Sequence, residues 1–559
     1  MVSSQWAVTR DCIGIRVLTM RVTGEKKGIK AKAYAGTTGV LLAMNLTSAP
    51  RRNLLGFAIE RKRPARPAEW LTGLLRFPHQ VDGTLTPIES RYAPIQKFRW
   101  SDYLVRPSTD YEYTIWGAYG DPENLTMREG PSLNVTTESN ESGPYQIVFN
   151  RSVASSQAFV RRYPEIDLSD PGLDPQVRNR ALHWLSGGLK EKILDFIDRA
   201  EDDNWALDVA IYEIELADIV ERLLEALQEG VRVRIVYHAK SKDRQKKENE
   251  EALQPFPDAV KRPRKTSAIH HHKFIILSRV DDNDNRTPVA VLTGSTNFTL
   301  NGVFLQSNVV HVVENRDIVF EYLRLFEILF EGNTVAETQE YIQANDRLAR
   351  TKQQVVFSPR RKFHDLWKIR SFLCKAKRDI VFCTTFRLDP LIMSPLMPCK
   401  TDRVLRYGLQ NSRSTVTGYH RHSIYVAPAI IKKDSVEGFL RENTAGRKRL
   451  IYVHLKAIVC DFTSDSPTVI SGSHNFSAAA SSKNDENMLV LQGDTRVADI
   501  YVCEMMRLYD HYRFRYYVAS RKGKGGPMKL DLSVDNSWTN PYFMRGSFKR
   551  LERIRFCGG

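Results

Sequence analysis

The sequence predicts an all-β segment followed by a duplicated layered α/β unit. Three observations carry this. Apolar residues alternate with period two before Thr137, helix and strand patterns alternate from about Ile166, and one strand motif recurs roughly one domain length later. At about 150 residues per domain, 559 residues make three or four domains.

In the first segment Tyr111, Tyr113 and Ile115 alternate with Glu112, Thr114 and Trp116, the pattern of a strand with two different faces. Ile95–Trp100 is a second strand candidate. Leu133–Thr136 is a third, following an expected turn at Glu129-Gly130-Pro131. The α/β grammar opens with a strand at Leu207–Ile211. Asp218 and Glu221 suggest a capping box, and Val220, Leu223, Leu224 and Leu227 form a helical stripe ended by Gly230. A strand at Val231–Val236 follows. The pattern returns as a stripe at Leu366, Ile369 and Leu373, then a strand at Ile380–Cys383.

Composition narrows the function classes. Lys plus Arg is 82 against 65 Asp plus Glu, a net charge of +17, which favours a polyanionic partner. No apolar run approaches the ~18 residues of a membrane helix, the best being Val40–Met44. The N-terminus lacks a basic stretch ahead of an apolar core, so a cytoplasmic protein is expected. Seven cysteines with no C-x-x-C spacing suggest neither a disulfide framework nor a zinc site, and no cofactor or metal is expected.

The duplication becomes chemical at two places. His271-His272-Lys273 on an apolar stretch is followed by Gly294-Ser295-Thr296-Asn297-Phe298. His454-Leu455-Lys456 is followed by Gly472-Ser473-His474-Asn475-Phe476. Residues i and i+2 of a strand share a face, so each His projects with its Lys, and the Gly lets the backbone turn tightly to present Ser and Asn beside them. A neutral imidazole can attack a phosphodiester and carry the phosphoryl group, and a second, protonated one can serve the leaving oxygen. Two Lys and two Asn can neutralise the equatorial oxygens.

These paired H-x-K and G-S-x-N motifs resemble the phospholipase D superfamily, in which two copies build one site. The resemblance implies a duplicated α-β-α sandwich forming a pseudo-dimer within one monomeric chain. It makes His271 the nucleophile and His454 the acid/base, with Lys273, Lys456, Asn297 and Asn475 as phosphate ligands and Ser295 and Ser473 in support. The motif aspartate is Asp461 in the second copy, where the first has Ser278. Glu486 resembles the acidic position that reaches across to the other half's histidine, supporting His271. Aligning Asn308 with Asn487 leaves Gln306 or Ser307 to face His454. Leu104–Tyr111 resembles the tyrosine-corner strand of fibronectin type III modules, and that segment is expected to be an accessory surface for a protein partner.

The expected organisation is a β-sandwich over 1–140, a linker over 141–165, phospholipase D-like halves over 166–340 and 341–520, and a tail over 521–559 packed on the core. Basic residues precede each motif: Lys240, Lys242, Arg244, Arg262, Arg264 and Lys265 before His271, and Arg447, Lys448 and Arg449 before His454. They are candidates to follow a nucleic-acid backbone. The expected activity is a metal-independent nuclease acting on DNA more than RNA. Its alternatives are a phospholipase D acting on phospholipids and a non-catalytic nucleic-acid-binding protein with a relic site.

Overall fold

The computed structural model describes residues 21–81, 86–152, 157–164, 166–168, 170–266, 268–347, 349–397, 403–411, 418–419, 424–428, 453–521 and 531–558. Arg447, Lys448 and Arg449 lie outside them.

The N-terminal region is all-β. One sheet orders strands Arg21–Lys26, Ile29–Ala35, Val40–Leu46 and Arg99–Asp102. The other orders Asn124–Thr136, Asp110–Asp121, Leu54–Lys62 and Glu69–Trp70. Tyr111 Oη accepts a 2.9 Å hydrogen bond from the Arg106 N–H, the backbone tether a tyrosine corner provides. The expected turn at Glu129–Pro131 is instead a bulge inside the long strand Asn124–Thr136. That strand lies at a sheet edge, where a proline's missing N–H breaks no ladder. Val40–Leu46 is buried at every position because both its faces are covered. Val40, Leu42 and Met44 face the sandwich interior, while Leu41 and Ala43 join the core shared with the α/β part.

The α/β part holds two sheets of the same design. The first orders strands Tyr145–Phe149, Val309–Val313, Arg286–Gly294, Lys273–Val280, Trp205–Ile211, Arg232–His238 and Lys261–Arg264. The second places Gln353–Ser358, Glu486–Gln492, Thr468–Gly472, Ala457–Cys460, Asp379–Thr384, Leu405–Gln410 and Ile424–Pro428 in those seven positions and adds Gly418–Tyr419. In each sheet the motif strand runs antiparallel to a strand that then pairs in parallel with the next. Residues 145–149, expected in a linker, therefore supply the edge strand of the first sheet. Their buried apolar residues Tyr145, Ile147 and Phe149 complete the shared core.

The helix of the first stripe runs Ala217–Gln228 with Leu216 at its N-cap and no side-chain cap. Asp218 lies inside the first turn, where it pairs with Lys190 at 2.5 Å rather than closing a capping box. One core packs the two halves together and includes Tyr322, Phe326, Val355, Tyr501 and Met505. Across it His311 Nε2 meets Tyr501 Oη at 2.5 Å. Among the described residues no helix is long and apolar enough to cross a membrane.

The C-terminal segment docks on the β region. Trp538, Tyr542 and Phe543 pack in the sandwich core, and Tyr34 Oη donates to Phe556 O at 2.8 Å. A buried ionic knot ties three regions together. Arg99 of the sandwich makes two 2.8 Å bonds to Asp510 of the helix Thr495–Arg521 and a 3.1 Å bond to Glu552 of the helix Phe548–Cys557. Removing one partner of such a pair leaves buried charge uncompensated, so Arg99→Ala should cost about 3 kcal/mol or more. Denaturant melts should show sandwich and second half losing stability together; an unchanged midpoint would refute the coupling.

Candidate active site

Both histidines sit in extended segments just ahead of their strands rather than within them, and each segment crosses to the other half. The His271 N–H donates to Asp485 O at 2.9 Å, and the His454 N–H donates to Ser307 O at 3.1 Å. The side chains repeat the exchange. His271 Nδ1 lies 2.7 Å from Glu486 Oε2, an oxygen that also accepts from Ser473 Oγ at 2.7 Å. His454 Nδ1 lies 2.9 Å from Asn308 Oδ1, which accepts from Ser295 Oγ at 2.8 Å. Each imidazole and the opposite half's motif serine thus share one oxygen, a carboxylate's in one case and an amide's in the other.

The acceptor of His454 is therefore Asn308, not Gln306 or Ser307. The Ser295 N–H donates to Val309 O and the Ser473 N–H to Asn487 O, so Val309 is the counterpart of Asn487 and Asn308 that of Glu486. Gln306-Ser307-Asn308 and Asp485-Glu486-Asn487 look alike when their asparagines are aligned, one residue out of register, and a one-residue slip reverses every side chain of a strand. The motif glycines answer to a close approach of the neighbouring strand. A Cβ on Gly294 would lie 2.2 Å from Val309 O, and one on Gly472 2.3 Å from Asn487 O. No L side chain fits there.

With Nδ1 engaged, Nε2 is the nitrogen each ring leaves for the cleft. His271 is 6% and His454 7% exposed, whereas Lys273, Lys456, Ser295, Ser473 and Glu486 are at most 1% exposed, so the rings are what the cleft presents. Lys273 Nζ donates to His271 O at 2.7 Å and Lys456 Nζ to His454 O at 2.8 Å. Burial, then Lys273 and Lys456, push His271 well below the usual imidazole range. Burial, then Lys456, Lys273 and His271, do the same to His454. Burial brings Lys273 down to about 7 and Glu486 up to about 7. An anionic phosphodiester would restore the lysine charge, so kcat/KM should fall as pH rises above about 7, where free enzyme loses the Lys273 proton. A profile flat to pH 9 would contradict this.

Other expected residues fall elsewhere. Asp461 stands seven residues beyond His454, roughly 20 Å at strand rise. There its carboxylate accepts the Lys377 and Arg378 N–H groups at 2.8 and 2.7 Å. It caps a turn at the far end of the strand and takes no part in the cleft. Arg264 is 4% exposed and grips Asp485 through two bonds of 3.0 and 3.2 Å, so it is a structural cation rather than a surface contact. Asp485 also meets His270 Nδ1 at 3.2 Å, which fixes the segment carrying His271. Arg262 is partly covered and donates to the carbonyls of Asp258, Ala259 and Lys261. Arg244 pairs with Glu248 at 2.9 Å on the helix Arg244–Ala252, and Lys240 lies 3.9 Å from Asp243. Lys242 and Lys265 are exposed.

Sequence reasoning passed over Tyr212 and Glu213, which follow the strand Trp205–Ile211. The Tyr212 ring lies 5.0 Å from that of His271, with Lys273 Nζ 5.1 Å from its centroid. Glu213 Oε2 accepts from Asn297 Nδ2, and burial raises its carboxyl. Their signal was position alone, at the carboxyl end of a strand beside the motif strand. Among the described residues no group of three or more His, Cys, Asp or Glu side chains is arranged to hold a metal ion.

Two imidazoles thus have Nδ1 engaged across a pseudo-dyad and are flanked by two buried lysines. The family model described as "Cardiolipin synthase, PLD-like domain" matches residues 193–330. Residues 193–330 are thus similar to a phospholipase D-like domain. Solved structures similar to the chain include Porphyromonas gingivalis polyphosphate kinase (14% identity, TM-score 0.40), of which the match spans 44% against 56% of this chain. Phosphatidylserine synthase of Haemophilus influenzae (12%, TM-score 0.40) is matched over 87% of its length and 59% of this chain. The phospholipase D family member Nuc of Salmonella typhimurium (22%, TM-score 0.21) is matched over 94% of its length and 28% of this chain. No curated protein matches the chain.

Proposed function

We propose that the protein is a metal-independent nuclease that cleaves DNA through a covalent phosphohistidine. The observation that carries this is the crossed pair of imidazoles, one on a carboxylate and the other on an amide. His271 Nε2 attacks phosphorus while the bond to the leaving oxygen breaks, and that oxygen takes a proton from His454. His454 then removes a proton from water, whose oxygen attacks phosphorus and releases His271. Glu486 holds the Nδ1 proton of His271 and stabilises the cation formed on attack. The amide of Asn308 leaves His454 free to gain and lose its proton. Lys273, Lys456, Asn297 and Asn475 hold the equatorial oxygens. The net charge of +17 and the exposed Lys242 and Lys265 favour DNA over phospholipid.

Purified protein offered plasmid, single-stranded DNA, RNA and phosphatidylglycerol vesicles in excess chelator tests this reading. DNA should be cut in chelator, and its affinity should fall at least about tenfold between 50 and 200 mM salt. Cleavage that requires added magnesium, or hydrolysis of vesicles alone, would overturn it.

A further inference from the structure

The pseudo-dyad is broken beside the phosphate site, at the residues that follow the central strand of each sheet. In the first half Ile211 lies opposite Lys273. In the second Cys383 lies opposite Ala457, which sets Thr384 opposite Lys456. A second register agrees: the Leu216 N–H donates to Phe298 O and the Asp389 N–H to Phe476 O, each at 3.0 Å. Both registers make Phe386 the counterpart of Glu213 and Arg387 that of Ile214. Glu213 bonds Asn297, so residue 386 belongs beside Asn475. Yet Glu213 is a carboxyl largely withdrawn from water and Ile214 is fully buried, whereas Phe386 is 48% exposed and Arg387 is exposed next to it.

This pair is fastened to the His454 side. The Asn411 amide donates to Thr385 O at 3.0 Å and to Val453 O, while its oxygen accepts the Val453 N–H at 2.8 Å. One side chain thus joins the residue before Phe386 to the residue before His454. In an in-line displacement the leaving group departs opposite the nucleophile, hence on the His454 side. An aromatic face with a cation beside it is what a nucleobase and its phosphate require, and a half-exposed Phe adds little to the core.

We propose that Phe386 and Arg387 form the leaving-group subsite, Phe386 stacking on the base of the departing nucleotide and Arg387 meeting its next phosphate. The equivalent positions of the first half, Glu213 and Ile214, carry neither a ring nor a cation. The proposal rests on the nuclease reading.

An abasic residue walked across the cleavage site of a single-stranded oligonucleotide tests it. The retained fragment is identified as the one trapped covalently on the enzyme. In wild type, an abasic residue next to the scissile phosphate on the departing fragment should lower kcat/KM about tenfold or more. In Phe386→Ala that penalty should nearly vanish, and Phe386→Trp should restore it. Arg387→Ala should weaken DNA binding whatever the sequence and lower the salt slope by about 1. Equal melting temperatures would exclude a folding defect, as expected for exposed positions. A penalty undiminished in Phe386→Ala, or one confined to the retained fragment, would overturn the subsite while leaving a nuclease. Wild-type protein that hydrolyses phosphatidylglycerol vesicles and no DNA would overturn the nuclease reading and the subsite together.

Discussion

His271→Ala should abolish both turnover and any covalent adduct, while His454→Ala should accumulate one. His271 is the imidazole whose Nδ1 a carboxylate supports, so the loss in His271→Ala should reach about 10⁴-fold or more. With a substrate whose leaving group needs little protonation, the first step survives without His454 while hydrolysis of the phosphohistidine stalls. Rapid quench followed by acid–base treatment should find an acid-labile, alkali-stable label in His454→Ala and none in His271→Ala. Label in the His271 variant instead would reverse the assignment.

Glu486→Gln should lower the rate by about 10²–10³-fold, because it removes the anion that supports the cation formed on His271. The sign of the pH change follows from the same geometry. Glu486, raised to about 7 by burial, takes up a proton as pH falls through that value and ceases to support His271. Wild type should therefore lose activity below about pH 7, and Glu486→Gln should lack that limb at its lower plateau. The converse substitution, Asn308→Asp, puts an anion on the proton donor and should raise the pKa of His454. A group that must be protonated to act then works to higher pH, so any alkaline limb it sets moves upward. Limbs unmoved in both variants would mean that the carboxylate and the amide are interchangeable supports.

The sequence alone determined the duplication and the motif residues. Each motif is local: period two fixes which side chains share a strand face, and paired spacings fix which half they belong to. It also marked Glu486 as the partner of His271, on resemblance, and the helix stripe whose Val220 and Leu223 are buried. Its failures have physical causes of their own. Asp461 matches a motif position but sits a strand's length from His454. Arg264 reads as surface charge among basic neighbours, because composition cannot tell a solvated guanidinium from one turned inward onto Asp485. Residues 145–149 read as linker because an edge strand needs only five residues and a partner supplied from 309–313. Asn308 was misplaced by one residue.

What only tertiary structure decided is which half serves which histidine. The bonds from His271 to Glu486 and from His454 to Asn308 span 215 and 146 residues, and both cross the pseudo-dyad. A local pattern carries no information about contacts at that separation until the shared core of Tyr322, Phe357, Tyr501 and their neighbours sets the two sheets face to face. The same docking decides the asymmetry of the cleft. Glu213 and Phe386 follow equivalent ends of equivalent strands, and only the folded register reveals that equivalence.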